Sequence, residues 1–534
     1  YVQADGLQTI GYDHGDYNVV TNYVKGNNSY TVFAGANYSH VDGTETWNNE
    51  NYQFPQSLFD RESYSKNSYQ NHQEYMQFRY QNQKGKRYWV GKFTLVNLST
   101  PRNASSGFAK ESTETDVFSN IRKKSLSPKI DLNANLPLSK NQTLTLGVHG
   151  KYSANSYHRL YQEQPFETMT DEDEKALSFQ LSAIYNYFSQ KHSLSVELFH
   201  YHDVWNADYS GNCELWQHLW KGESLAFFSY NFQASRRLSL KTRIGLDWLQ
   251  YHLHGDNSFS QLSPRINTNV QYQLNKGMLL WSFNFVNSNH GMDVINRAMI
   301  QVNSHMMEKG MPELKKSHDI NTYLYYMGRF NRLSVSAIGQ FRYNHHPVTD
   351  DYYLDEANGK IVKTYSNGGN AQYYSAILAL QYKLCKFANL SGDIRYNHAE
   401  VKTTWSKHNN NLTGNLGLNM FMGDFALKPY LHFGKKSLDE AALVISKTPI
   451  DYGMSCSYSR GNLYVELQAA SPFKKQEKQY WLDLPIYSYS KSIKDQTASQ
   501  YASIKVAYSF DFGRKTQKVE KDVNKNINSS LLRV

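Results

Sequence analysis

Apolar and polar residues alternate with a period of two from one end of the chain to the other. Ala502, Ile504, Val506, Tyr508, Phe510 and Phe512 are separated by Ser503, Lys505, Ala507, Ser509 and Asp511, which is the pattern of a strand with one oily and one polar face. The same alternation runs through Ile130, Leu132, Ala134 and Leu136, through Leu144, Leu146 and Val148, and through Leu194, Val196 and Leu198. It returns at Leu240, Ile244, Leu246 and Trp248, at Leu416, Leu418, Met420 and Met422, and at Leu463, Val465, Leu467 and Ala469. No segment sustains a period of 3.6. About 22 such segments can be marked, most of them roughly 10–14 residues long, the first near 6–13 and the last near 498–513.

Connections between the segments alternate in length. Short ones such as 82–86, 138–141, 189–191, 275–277, 328–331, 423–424 and 460–462 hold a few polar or Gly residues and read as hairpin turns. Long polar stretches lie between them, at 42–70, 100–123, 156–175, 206–222, 290–316, 347–370, 436–446 and 472–497. Any one alternating strand also fits a sandwich, with its oily face turned to a core. Sandwich strands average near 5–6 residues, however, whereas a tilted strand crossing a bilayer needs about 9–11. The pattern predicts an all-β chain: a single transmembrane antiparallel β-barrel of about 22 strands over residues 1–513, with short periplasmic turns and long extracellular loops, then a basic flexible tail over 514–534. Hydrocarbon also demands closure, because an open sheet edge leaves unpaired backbone groups at a cost of several kcal/mol each. Barrels of roughly this strand number are transporters with a plugged lumen.

Composition supports the barrel in one respect. The chain has 534 residues and 42 tyrosines, with 14% aromatics, and disordered chains are aromatic-poor. Trp89, Trp205, Trp248, Trp281, Phe330, Phe341, Tyr343, Phe510 and Phe512 stand near segment ends, where aromatic girdles sit. No apolar run approaches the roughly 18 residues of a membrane helix. The net charge of +10 is partly local, since Arg514, Lys515, Lys518, Lys521, Lys525 and Arg533 face only Glu520 and Asp522. A basic tail alone is no nucleic-acid signature. Cys213, Cys385 and Cys456 are odd in number and have no metal-ligand spacing.

Parity sorts the candidate chemistry. Lys92, Lys241, Arg243, Asp247, Arg265, Arg342, Asp393, Arg395, Glu466 and Lys505 fall on the polar faces, so they are expected in the lumen, in contact with a plug, water or solute. His200 with His202, and His252 with His254, continue the oily faces and so read as outward rim residues rather than metal ligands. Trp205, at the edge of a long connection, and Trp216, Trp220 and Trp481, within long connections, stand where aromatic platforms can capture an external ligand. Asp171 to Glu174 is an acidic run of the solvated kind. No nucleophile motif, zinc motif or phosphate loop occurs, and no catalytic residue, metal or cofactor is assigned.

Two ordered stretches carry a resemblance. Leu262-Ser263-Pro264-Arg265-Ile266, followed by Gly310-Met311-Pro312-Glu313-Leu314-Lys315-Lys316-Ser317-His318-Asp319-Ile320, is similar to the strand start and the Gly-Asn-Pro-x-Leu-x-Pro-Glu-x-Ser run of TonB-dependent outer-membrane receptors of the Bacteroidetes type. Met311 replaces the usual Asn, and Lys315-Lys316 replaces Pro-Glu. The closing strand at Phe510 and Phe512, with the tail ending in Asn528-Ser529-Ser530-Leu531-Leu532, looks similar as well. The resemblance implies a conduit in the cell outer membrane for energised uptake of a scarce solute such as a siderophore, glycan or peptide. It also implies partners: membrane lipid and lipopolysaccharide, TonB, a plug domain absent from this chain, and a surface lipoprotein. The alternatives are a passive porin-like channel and an adhesin or scaffold.

Overall fold

The computed structural model describes residues 1–54, 57–256, 258–288, 290–474, 476–495, 499–510, 523–527 and 529. Phe512 and most of the 514–534 tail therefore lie outside the described residues. Twenty-two antiparallel strands form a closed barrel, a count of 22 that matches the alternation. Each strand pairs with the next along the chain, and the first and last close the ring, Val2 opposite Phe510 through Ile10 opposite Ala502.

Side-chain direction follows the sequence parity. Ile504, Val506 and Tyr508 are 37%, 42% and 40% exposed on the outer surface, while Ser503 and Ser509, which flank them, are 5% and 9% exposed on the inner one. Apolar side chains left bare on a wall this wide are explained by a lipid solvent. Trp89, Trp248, Trp281, Phe330 and Phe510 stand outward and exposed. Trp205 does not: it is 8% exposed and turned inward.

One end of the barrel carries tight turns. Gly85 and Gly461 take φ of 60° and 58° there, a left-handed conformation that glycine adopts without steric cost and that suits two-residue hairpins.

The opposite end departs from the sequence reading. The stretches 42–70, 100–123, 156–175 and 206–222 are largely strand rather than loop. Asn28–Phe54 and Ser57–Lys84 run for 27 and 28 residues, and Glu114–Ser139 for 26, more than twice what a bilayer requires. Hairpins thus stand well clear of the membrane as a tall palisade. Outside lipid neither face needs to be oily, so the alternation fades although the hydrogen-bond ladder continues. The first hairpin, Val2–Ile10 with Asp13–Lys25, stays short. Above it Tyr487–Asp495 pairs directly with Asn28–Phe54, Tyr487 opposite Tyr52 and Lys494 opposite Glu45, and so bridges the gap in the wall.

Two long connections fold into a second sheet inside the palisade. Met299–Gln301, Met306–Lys309, Lys360–Ser366 and Thr349–Asp355 form four strands in that order, with a parallel pairing of Met306–Lys309 with Lys360–Ser366. A single helical turn, Met292–Ile295, precedes them.

Candidate functional site

The second sheet roofs the mouth of the barrel opposite the tight turns, and apolar contacts seat it on opposite walls. On one side Met292, Ile295 and Leu314 pack on Ala176, Trp205, Leu219 and Leu253. On the other, Met306, Tyr352 and Ile361 pack with Tyr52, Val401, Leu482 and Tyr487. Leu219, Leu253, Tyr52 and Ile361 are at most 1% exposed, so burial of apolar surface is a large part of the attachment. Gly310 sits where the roof turns against its own helical segment. A Cβ there would come within 2.2 Å of the Asn296 carbonyl oxygen, so only glycine fits.

Buried charges fix the roof's position. Arg61, on Ser57–Lys84, is 4% exposed. Its guanidinium stands 2.9 Å from Glu163, 3.6 Å from Glu111 and 3.7 Å from Glu50. It donates to the Tyr161 hydroxyl at 3.1 Å and to Ser304 Oγ, in the roof, at 3.2 Å. Arg159 donates Nη1 and Nη2 to the carbonyls of Gln301 and Val302 at 2.7 and 2.5 Å. His305 of the roof meets Glu111 at 2.9 Å. Two wall arginines therefore grip the backbone and side chains of one roof segment, a use suited to the planar multi-donor fork. Sequence patterning gives no sign of either, since both lie in stretches that read as loops.

Within the roof, Lys363 Nζ lies 3.6 Å from Glu308 and 3.4 Å from Asp350. Glu308 is 2% exposed. Burial pushes both carboxyls up, against the pull of Lys363. They hold their protons more tightly folded than unfolded. Between the usual value, 4.5 for a glutamate, and the raised folded value, docking is strengthened as pH falls and weakened as it rises. Protease resistance of the roof is expected to increase as pH falls from neutral towards the usual glutamate value of 4.5, and Glu308→Gln to flatten that slope. An unchanged slope in the variant removes Glu308 as its source.

The ten charged residues expected in the lumen all occupy the face opposite the exposed apolar residues. Lys92 adjoins outward Phe93, Asp393 and Arg395 flank Ile394, Glu466 precedes Leu467, and Lys505 lies between Ile504 and Val506. Arg243 pairs with Glu197 at 2.6 Å and lies 3.5 Å over the Phe227 ring. Arg342 pairs with Asp319 at 2.5 Å and Glu440 at 3.7 Å. Asp393 accepts from Asn415 at 2.9 Å, and Glu466 from the Tyr464 hydroxyl at 2.7 Å. Lys241 and Arg395 are exposed to the lumen. The tightest grouping joins Asp247, fully buried, to Arg265 at 2.5 Å and Lys316 at 3.0 Å, with Glu223 3.1 Å from Arg265. Lys316 follows directly on roof residues 310–315, so this cluster ties the roof to the lumenal wall. Lys92, Lys241, Arg395, Glu466 and Lys505 stand elsewhere around the bore.

The four tryptophans do not converge. Trp205 is buried beneath the roof. Trp216 is 47% exposed on the outer face, stacked on His218 and edge-on to His254. Trp220 meets His202 on the same outer face. Trp481 stands opposite Ile445 in the upper wall and alternates with inward Leu482. His200 and His202 point outward as parity required, their rings 6.2 Å apart.

No protein-family model and no curated protein matches the sequence. Solved structures do match. A copper transporter, OprC, aligns with 95% of this chain and 80% of its own at a TM-score of 0.67 and 10% identity. The siderophore receptor PiuA from Acinetobacter baumannii aligns with 95% of this chain and 81% of its own, at 0.61 and 10%. A mutant of the ferric enterobactin receptor PfeA from Pseudomonas aeruginosa, in complex with enterobactin, aligns over the same shares at 0.63 and 9%. At these identities the likeness establishes the fold, so this chain is a 22-stranded barrel of the kind those transporters and receptors share.

Proposed function

We propose that the chain is the barrel of a TonB-dependent receptor in the cell outer membrane, and that it conducts energised uptake of a scarce solute. The observation that carries this reading is a wide polar bore under a roof held by buried arginines, because a passive pore has no use for a fixed cover. The resemblance of 262–266 and 310–320 to that family, and a fold shared with metal and siderophore transporters, point the same way. The lumenal charges Lys92, Lys241, Arg395, Glu466 and Lys505 would meet a plug or the passing solute, and Trp216 and Trp220 the surrounding lipopolysaccharide. Siderophore, glycan and peptide all remain within the solute class.

Cells lacking the chain are expected to lose accumulation of its solute at low external concentration. In complemented cells, collapse of the inner-membrane proton gradient is expected to abolish it. Uptake that persists without the gradient identifies a passive channel, and unchanged uptake with impaired attachment identifies an adhesin.

A further inference from the structure

We propose that the C-terminal segment is an intramolecular ligand of the barrel interior, in which residues 523–527 dock as an extended strap on the inner wall around Lys129. The proposal rests on the barrel fold and not on the uptake reading.

The segment reads Val523-Asn524-Lys525-Asn526-Ile527, alternating in the same period of two as the wall. In an extended chain residues 523, 525 and 527 share one face. All three meet one inward cluster: Val523 and Ile527 pack with Phe33, Tyr75 and Val96, and Lys525 Nζ lies 4.3 Å over the Tyr75 ring. The carbonyls of Asn524 and Asn526, two residues apart, both receive Lys129 Nζ, at 2.7 and 2.6 Å. Lys129 is only 4% exposed and projects inward between outward Pro128 and Ile130. A buried ammonium is costly unless its donors are satisfied, and here the strap's backbone satisfies them. The contact therefore combines apolar packing, a cation over an aromatic face and charge-assisted hydrogen bonds to main chain. It reads the shape and spacing of an extended segment and so differs from loose attraction of a basic tail. Any other occupant of the lumen that uses Phe33, Tyr75, Val96 and Lys129 must displace the strap.

The test uses the full chain, with Cys213, Cys385 and Cys456 replaced by serine and Ile527→Cys introduced. A bulky thiol reagent is expected to modify position 527 slowly in the folded barrel, and about tenfold faster once Lys129→Ala removes the two charge-assisted bonds. If Lys129→Ala does not assemble, Tyr75→Leu probes the same contact through Lys525. Separately, a chain ending at residue 512 is expected to conduct ions better in planar bilayers than the full chain. Modification of position 527 as fast as in the urea-unfolded protein, or equal conductance of the two chains, overturns the proposal. Neither readout involves energised uptake, so failure of the uptake reading leaves this result standing.

Discussion

Arg61→Ala is expected to release the roof from its wall while leaving the membrane barrel assembled. The guanidinium is the shared cation of Glu163 and Glu50, whose side chains are 7% and 9% exposed. Removing it leaves two buried carboxylates without their cation, an outcome that costs about 3–5 kcal/mol. Part of that cost can be relieved only by opening the site to water, which means lifting Ser304 and its neighbours away. The open fraction of the roof should rise by at least about a hundredfold. Limited proteolysis within 296–316 on intact cells reads that fraction, and heat-modifiable electrophoretic mobility reports whether the barrel below is still folded. Arg61→Lys keeps the charge but loses the fork, so it should fall between the two. Wild-type protease resistance in Arg61→Ala would mean that the roof is held by its apolar contacts alone.

The membrane-spanning part of this fold was legible because two solvents act on it. Lipid outside and water inside force Ile504, Val506 and Tyr508 to one face and Ser503, Lys505 and Ser509 to the other, and that difference is written residue by residue. Above the membrane the outer face meets water and the inner face meets a roof that offers both apolar and charged partners, so the signal disappears. Asp60-Arg61-Glu62 then reads as a solvated charge run, although Arg61 is buried beneath a segment that comes from 243 residues further along the chain. Trp205 shows a different limit. Leu198, His200 and His202 are outward, so a strand carried on to Trp205 turns it inward. Its inward burial was available from parity, but its place at the end of the expected strand assigned it to the girdle and the loops instead. The roof sheet could not be read at all, because its parallel pairing joins Met306–Lys309 to Lys360–Ser366 without any local pattern to announce it. The run 310–320 fared better as a resemblance than as physics: Gly310 is required by close backbone approach, Leu314 by the core under the roof and Lys316 by Asp247.

The Asp247 cluster gives the second large effect, and it separates a buried ion pair from a merely neighbouring one. Asp247 and the side chain of Lys316 are both 0% exposed, whereas Arg265 is 20% exposed and keeps Glu223 at 3.1 Å. Asp247→Asn should therefore be costly mainly through Lys316, which is left as a buried cation with no carboxylate, and a loss of about 3–5 kcal/mol is expected. Lys316→Met alone is milder, since Asp247 retains Arg265. In the double variant the orphaned cation is gone, so most of the loss from Asp247→Asn should be recovered. The unfolding temperature in detergent, followed by the shift between folded and unfolded mobility, measures all three. Strong non-additivity is the required outcome, because residues in direct contact couple by about 0.5–3 kcal/mol. Additive losses would show that Lys316 does not depend on Asp247, and the tie between the roof and the lumenal wall would then have to rest on Leu314 and its apolar neighbours.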